Sequence, residues 1–307
     1  MSVARQIIWF AALIFGCRSY AAAKQANMPP PVKVALTFDD LPAHGPLPSG
    51  ETRMTIVRSI LATLKVHHVR EAYGFVAGSF GGDDPSAPDV LKVWRAAGQP
   101  LGNHSWSHFN LDQTDPMAYI ADVGRNEAVI APLMARKDWH WFRYPYLAEG
   151  ADPQRHKQIR AFLARSGYKV ASVTLSFADY DYNEPYARCM AKNDKASVGR
   201  LEAIWMRAAT SALDGAHRPS NSARGQNVPL VTLLHVGAFT AHMLPALLTA
   251  YEARGVRFID LATAERDSFY ANDLHDVGKG QHLLLLQNRN SDTSEPLSDI
   301  TLKAICP

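Results

Sequence analysis

The chain has 307 residues, 47% of them hydrophobic and 20% charged, with a formal net charge of +3. That is ordinary globular composition, enough for one large domain with a proper core, and it argues against a disordered or fibrous chain. The small net charge offers none of the basic excess that a nucleic-acid partner demands.

At the N-terminus Arg5, an apolar run from Ile7 to Cys17 and the small residues Ala21-Ala22-Ala23 read as an export leader. It covers 1–23, with cleavage before Lys24. The run is too short to span a bilayer well, so the mature chain is expected to carry no transmembrane span. Ile14-Phe-Gly-Cys17 offers a rival reading, a lipoprotein box with Cys17 as a lipidated N-terminus. Both readings place the protein outside the cytoplasm, periplasmic or secreted. Without 1–23 the net charge falls to +1.

Next come a predicted strand at 32–38 and a helix at 52–67 with Ile56, Ile60 and Leu64 on one face. A strand at 72–77 and a helix at 87–97 follow. Asp115-Pro116 opens a longer helix to about 134, with Asp as cap and Pro at the first helical position. A strand at 139–144, a helix at 153–166 and a strand at 169–175 come after it. The weaker pattern of 183–227 holds helix signals at 206–213 and a polar loop. Strand 228–234, helix 241–253 and strand 256–260 complete the run. Repeated βα units imply an α/β fold with a parallel sheet, most simply one barrel over about 30–270. Residues 24–272 are then one domain. Residues 273–307 form an extension that packs back on it or adds an edge strand.

The chemically suggestive residues fall where strands end, the face that builds active sites in such barrels. Val34-Ala-Leu-Thr-Phe-Asp39-Asp40 ends in two carboxylates. Neighbours in a regular strand point to opposite faces, so both converge only if the chain turns there. His104-Ser-Trp-Ser-His108 sets two imidazoles four apart, on one face of a helical turn. Two histidines and a carboxylate can hold a divalent metal and leave positions open, which favours catalysis over structural binding. Taken singly, the histidine pair reads more readily as accident than as a metal site, and the aspartates as the start of a turn.

Five runs stand in order: Thr37-Phe-Asp39-Asp40, His104-Ser-Trp-Ser-His108, Arg143-Tyr-Pro-Tyr146, Ser176-Phe-Ala-Asp179-Tyr180 and Leu233-Leu-His235. Together they resemble the polysaccharide deacetylase family, also called NodB-homology or carbohydrate esterase family 4, over most of 32–262. The resemblance implies a distorted (β/α) barrel and metal-dependent removal of acetyl groups from an N-acetylated glycan or oligosaccharide. It implies Asp40, His104 and His108 as metal ligands, Asp39 as general base and His235 as general acid. Arg143 would hold Asp39, and Asp179 would orient His235. The backbone N–H of Tyr146 would bind the oxyanion, and Leu233 would line the acetyl-methyl pocket. Zinc suits the donor set, with cobalt, nickel or manganese as alternatives. Asp39, beside a cation and an arginine, is expected to stay ionised.

The sequence departs from the family at two runs. Leu41 stands where Gly usually follows the aspartates, and Ser176 and Tyr180 replace an Asp and a Trp. Asp181 is the alternative to Asp179 if the register slips by two. Tyr180, Tyr182 and Tyr186 read either as a sugar-stacking wall or as loop packing. His44, four residues after Asp40, reads as a loop residue, with entry into the site as the lesser reading. Export allows a Cys189–Cys306 disulfide, and two separate buried thiols are the other reading. A non-sugar amide or an acetyl ester is the alternative substrate, and a non-catalytic glycan-binding protein is the third reading. Nothing in the sequence specifies an oligomeric state.

Overall fold

The computed structural model describes residues 31–82, 84–135, 137–216, 228–270, 302 and 304–307. The proposed leader, the lipoprotein box at Cys17 and most of the 273–307 extension lie outside the described residues.

The sheet is built around one strand. β1 (Val32–Leu41) is buried from Val34 onward, as a strand covered on both faces must be. α1 (Arg53–Val66) turns Ile56, Ile60 and Leu64 into the core, as their spacing predicts. β2 (Ala72–Val76), α2 (Ala87–Ala96) and β3 (Leu101–Asn103) follow. α3 (Pro116–Met134) starts on Asp115, whose carboxylate accepts from the N–H groups of Met117 and Ala118. β4 (Trp141–Phe142), α4 (Pro153–Arg165) and β5 (Lys169–Val170) continue the alternation. The described part of the weak-pattern region, 183–216, holds two helices, α5 (Asn183–Ala191) and α6 (Lys195–Ala216); its polar loop lies outside the described residues. β6 (Leu230–His235), α7 (Ala238–Ala253), β7 (Val256–Ile259) and α8 (Leu261–Glu265) complete the described elements.

Among the described residues all the strand pairs are parallel, in the order β5-β4-β3-β2-β1-β6, with β7 beside the first half of β1. Past β5 the chain keeps going to the far edge. Leu175 bridges to Thr232 of β6, and the N–H of Leu233 donates to the Leu175 carbonyl at 2.9 Å. The sheet therefore curls round and meets itself at Thr174–Leu175 and Val231–Leu233, as in the expected distorted (β/α) barrel. The predicted strands at 139–144 and 169–175 shorten to two residues each. Strand β3 escaped prediction because Leu101-Gly-Asn103 carries no β-branched run; its neighbours' ladders impose the conformation.

Cys189 of α5 and Cys306 are joined as a disulfide. Of the two readings of these thiols, the paired one holds, and the chain's last residues are tied to α5. Arg188 adds hydrogen bonds to the carbonyls of Ile305 and Cys306, both at 3.0 Å.

Candidate active site

Register brings the site together. Asp39 lies directly opposite His235 on neighbouring strands. The N–H of His104 donates to Val76, and the N–H of Arg143 to Asn103, so both residues emerge at the same rim. The rim is the C-terminal end of the parallel strands, where such barrels carry their chemistry.

The two aspartates converge because β1 breaks its regularity there. The pairing with β2 slips between Phe38 and Leu41, and Asp40 takes a left-handed backbone, φ 67°. Asp39 is buried and faces Arg143, whose Nη1 lies 3.2 and 3.3 Å from its two oxygens. Arg143 is itself fully buried, with Nε donating to the Ala171 carbonyl and Nη2 to the Thr37 hydroxyl. Burial pushes Asp39 up to about 6 against the pull of Arg143. Asp39 thus keeps its charge at neutral pH, but with less margin than a carboxylate beside arginine was expected to have.

The histidine pair corrects one expectation. His104 and His108 do not share a helical turn; 104–110 is a loop with left-handed residues at Ser105 (φ 56°) and His108 (φ 53°). Hydrogen bonds substitute for the helix. Asp122 of α3 accepts from both the N–H and the hydroxyl of Ser107 at 2.8 Å, and Asn103 accepts from the N–H of Ser105. Trp106 packs on Gly78, where an added Cβ would sit 2.3 Å from the indole. Only glycine allows that approach. The rings end 4.8 Å apart, centroid to centroid.

His104 Nδ1 lies 2.7 Å from the Arg143 carbonyl, which acts only as an acceptor. The proton therefore sits on Nδ1, and Nε2 presents a lone pair. That Nε2 lies 3.6 Å from Asp40 Oδ1, and His108 Nε2 lies 3.3 Å from the same oxygen. Asp40 Oδ1 is buried with no hydrogen-bond partner. Burial lowers both histidines to about 4, so they are neutral as ligands must be. Burial alone would raise Asp40, but the hydrogen bond from His44 and the charges of the nearby histidines hold it well below the usual carboxylate range. A buried carboxylate oxygen with no hydrogen-bond partner, facing the His104 lone pair and the His108 ring nitrogen, is costly unless a cation lies between them. These three donor atoms fall within 4.8 Å of one another. The donor set fits a divalent metal.

On the opposite side His235 Nδ1 lies 2.8 Å from Asp179 Oδ1. Asp179 also accepts from the His235 backbone N–H and the Thr240 hydroxyl, both at 2.8 Å. The carboxylate partner is thus Asp179, and the Asp181 alternative is not the one realised. Burial disfavours the imidazolium, yet the Asp179 charge and hydrogen bond, with help from Asp40 and Asp39, raise His235 to about 9.

Tyr146 has a left-handed backbone, φ 58°, and its exposed ring lies 4.5 Å from that of His108. Leu233 is buried and lies two residues before His235 on β6, so both point to one side of the strand. Tyr180 is exposed, its ring 5.1 Å from His235. Tyr182 and Tyr186 are buried against Phe239 instead, so they form no part of a sugar-stacking wall. His44 enters the site, the lesser of its two readings: its Nδ1 lies 2.8 Å from Asp40 Oδ2. Its spacing of four from Asp40 was the available signal. Thr240 and Asp122 carried no signal, since each acts through a partner distant in sequence.

Residues 26–171 match the family model described as polysaccharide deacetylase. The chain is 25% identical over 245 residues to a peptidoglycan-N-acetylglucosamine deacetylase of Bacillus cereus, covering 80% of this chain and 74% of that one. It is 28% identical over 163 residues to a chitin deacetylase of Colletotrichum lindemuthianum, covering 50% of this chain and 56% of the relative. Among solved structures, a carbohydrate esterase family 4 pseudoenzyme from Bacillus anthracis aligns with TM-score 0.52 and 16% identity, over 77% of this chain and 66% of that one. A peptidoglycan N-acetylglucosamine deacetylase aligns with TM-score 0.51 and 18% identity, over 76% and 87%. At such identities the structural likeness is one of fold.

Proposed function

From the premise that the chain carries a polysaccharide deacetylase (NodB-homology) domain, we propose that it is a metal-dependent hydrolase removing N-acetyl groups from an N-acetylated glycan. The carrying observation is the grouping of three neutral or anionic donors, Asp40, His104 and His108, between an arginine-held carboxylate and a carboxylate-held histidine. Those donors would hold a divalent cation, zinc by preference, whose positive charge would polarise the acetamide carbonyl and lower the pKa of the attacking water.

The chain's own groups supply the proton traffic. Asp39, ionised and fixed by Arg143, takes a proton from water as it adds to the acetyl carbon. His235, protonated through neutral pH, gives a proton to the departing nitrogen as the C–N bond breaks. The products are acetate and a free amine. An amide anion is a very poor leaving group, so the raised pKa of His235 serves the reaction directly. The Tyr146 N–H is assigned to the developing oxyanion, Leu233 to the acetyl methyl and Tyr180 to the sugar ring.

The relatives that act on peptidoglycan and chitin support a glycan as substrate. Export fits that substrate, and the Cys189–Cys306 disulfide suits an oxidising compartment. A binding protein would need neither base nor acid, so the retention of Asp39 and His235 in working geometry favours catalysis. The test is mass spectrometry of a panel of acetylated glycans incubated with zinc-loaded protein. Loss of one acetyl mass from at least one glycan, abolished by a chelator, is expected. Binding without any mass loss from the panel would reject the enzyme reading.

A further inference from the structure

His44 stands on the loop after β1 and belongs to no strand or helix. It is nonetheless fixed at both ends of its peptide unit. Its N–H donates to the carbonyl of Val236, the residue after the catalytic histidine. Its carbonyl accepts from Asn183 Nδ2 at 3.2 Å. Asn183 is buried on α5, also donates to the Pro46 carbonyl at 3.0 Å, and accepts from the N–H of Phe239 at 3.1 Å. One buried amide thus ties this loop to the start of α7. The imidazole is held with its centroid 5.4 Å from His235 and 6.3 Å from Tyr180.

The ring's polar contact is with Asp40. Nδ1 lies 2.8 Å from Oδ2, while Oδ1 of the same carboxylate faces His104 and His108 and accepts no hydrogen bond. The two oxygens therefore have separate tasks. Rotation about the last bond of an aspartate side chain is soft, with a broad torsional well. The backbone of Asp40, left-handed at φ 67°, aims the side chain but does not set this last torsion. Something outside the residue must hold the plane.

We propose that His44 is a positioning residue for the metal-ligand carboxylate, its Nδ1–H holding Oδ2 so that Oδ1 alone is presented beside His104 and His108. The inference rests on the metal-centre reading above and adds a partner to it. Hydrogen bonds to the non-coordinating side of a ligand orient it, and their loss typically weakens metal affinity roughly 10- to 100-fold.

The experiment is calorimetric zinc titration of the full chain, in competition with a chelator, for wild type, H104A, H44A, H44N and H44Q. An asparagine amide nitrogen occupies nearly the position of Nδ1, whereas a glutamine places its donor one bond further out. H44A is expected to raise the zinc Kd by about 10- to 100-fold, H44N to restore it to within about threefold of wild type, and H44Q to restore it less. The visible spectrum of the cobalt-loaded protein should change in H44A and return in H44N. Should H44A fail to fold, the contrast between H44N and H44Q carries the decision. Zinc binding by H44A at the wild-type Kd, or equal weakening by H44N and H44Q, overturns the role of His44 while leaving the metal centre standing. Wild-type affinity no better than that of H104A would overturn the metal centre itself, and the inference with it.

Discussion

Replacing Asp179 with Asn tests the acid half of the chemistry. Asp179 is the leading cause of the rise of His235 from 6.5 to about 9, and burial alone would push the imidazolium the other way. Without the carboxylate charge His235 should titrate at or below its ordinary value. At pH 8 a group of pKa 9 is about nine-tenths protonated, and one of pKa 6.5 about 3%, so the acid form falls about 30-fold. At pH 6 the same comparison gives a loss of well under twofold, about a quarter of the groups. The defect of D179N should therefore grow steeply between pH 6 and 8. A merely structural loss of orientation would cut turnover by one factor at every pH. The asparagine also turns an NH2 group towards one of the donors on His235, costing about 1–3 kcal/mol of stability, so a thermal melt must first show the variant folded. The assay is the pH profile of kcat/KM for acetate release from an acetylated chito-oligosaccharide. An alkaline limb unmoved from that of wild type would refute the coupling of Asp179 to His235.

Asp39→Asn should lower turnover by about 10²- to 10⁴-fold while zinc content stays at the wild-type level, since Asp40, His104 and His108 remain; loss of the zinc would show that Asp39 belongs to the ligand set. Global stability should carry the mark of His235 as well. Its folded pKa is raised, so its contribution is fully present below about 6.5 and is lost as pH rises through about 9, provided the unfolded chain keeps the ordinary value. Urea denaturation across that window should show the loss in wild type and a flatter profile in D179N. Removing the Cys189–Cys306 bridge, which spans 117 residues, should cost about 2–5 kcal/mol in the same assay. A C189S/C306S chain as stable as wild type would mean that the tail's other contacts suffice.

The alternation of apolar runs and helical patterns made the barrel legible, because each element's period is written in its own residues. Ile56, Ile60 and Leu64 lie inward for that reason, as does the α3 start on Asp115-Pro116. Donor types were legible too: Asp39, Asp40, His104, His108, Arg143 and His235 all reach one rim. The sequence did not carry the conformation of 104–110. Spacing four suggested a helical turn, but the ladder from β3 and the buried Asp122 hold a loop instead.

Local sequence thus determined which residues could form strands and helices and which side chains could bind, accept or donate. Tertiary structure alone decided the distances between them. Asp39 meets Arg143 across 104 positions, and Asp179 meets His235 across 56. Both separations are closed by the curl of the sheet, which brings Arg143 after β4 and the short turn at Asp179 round to the ends of β1 and β6, a property of the paired strands together and of none alone. The pKa values follow the same division. The titratable groups are local, whereas their shifts arise from burial and from charges that only the folded barrel brings near. His44 shows the point most sharply. It is an ordinary loop residue by composition, and it becomes a partner of Asp40 because Val236 and Asn183, far along the chain, hold its backbone in place.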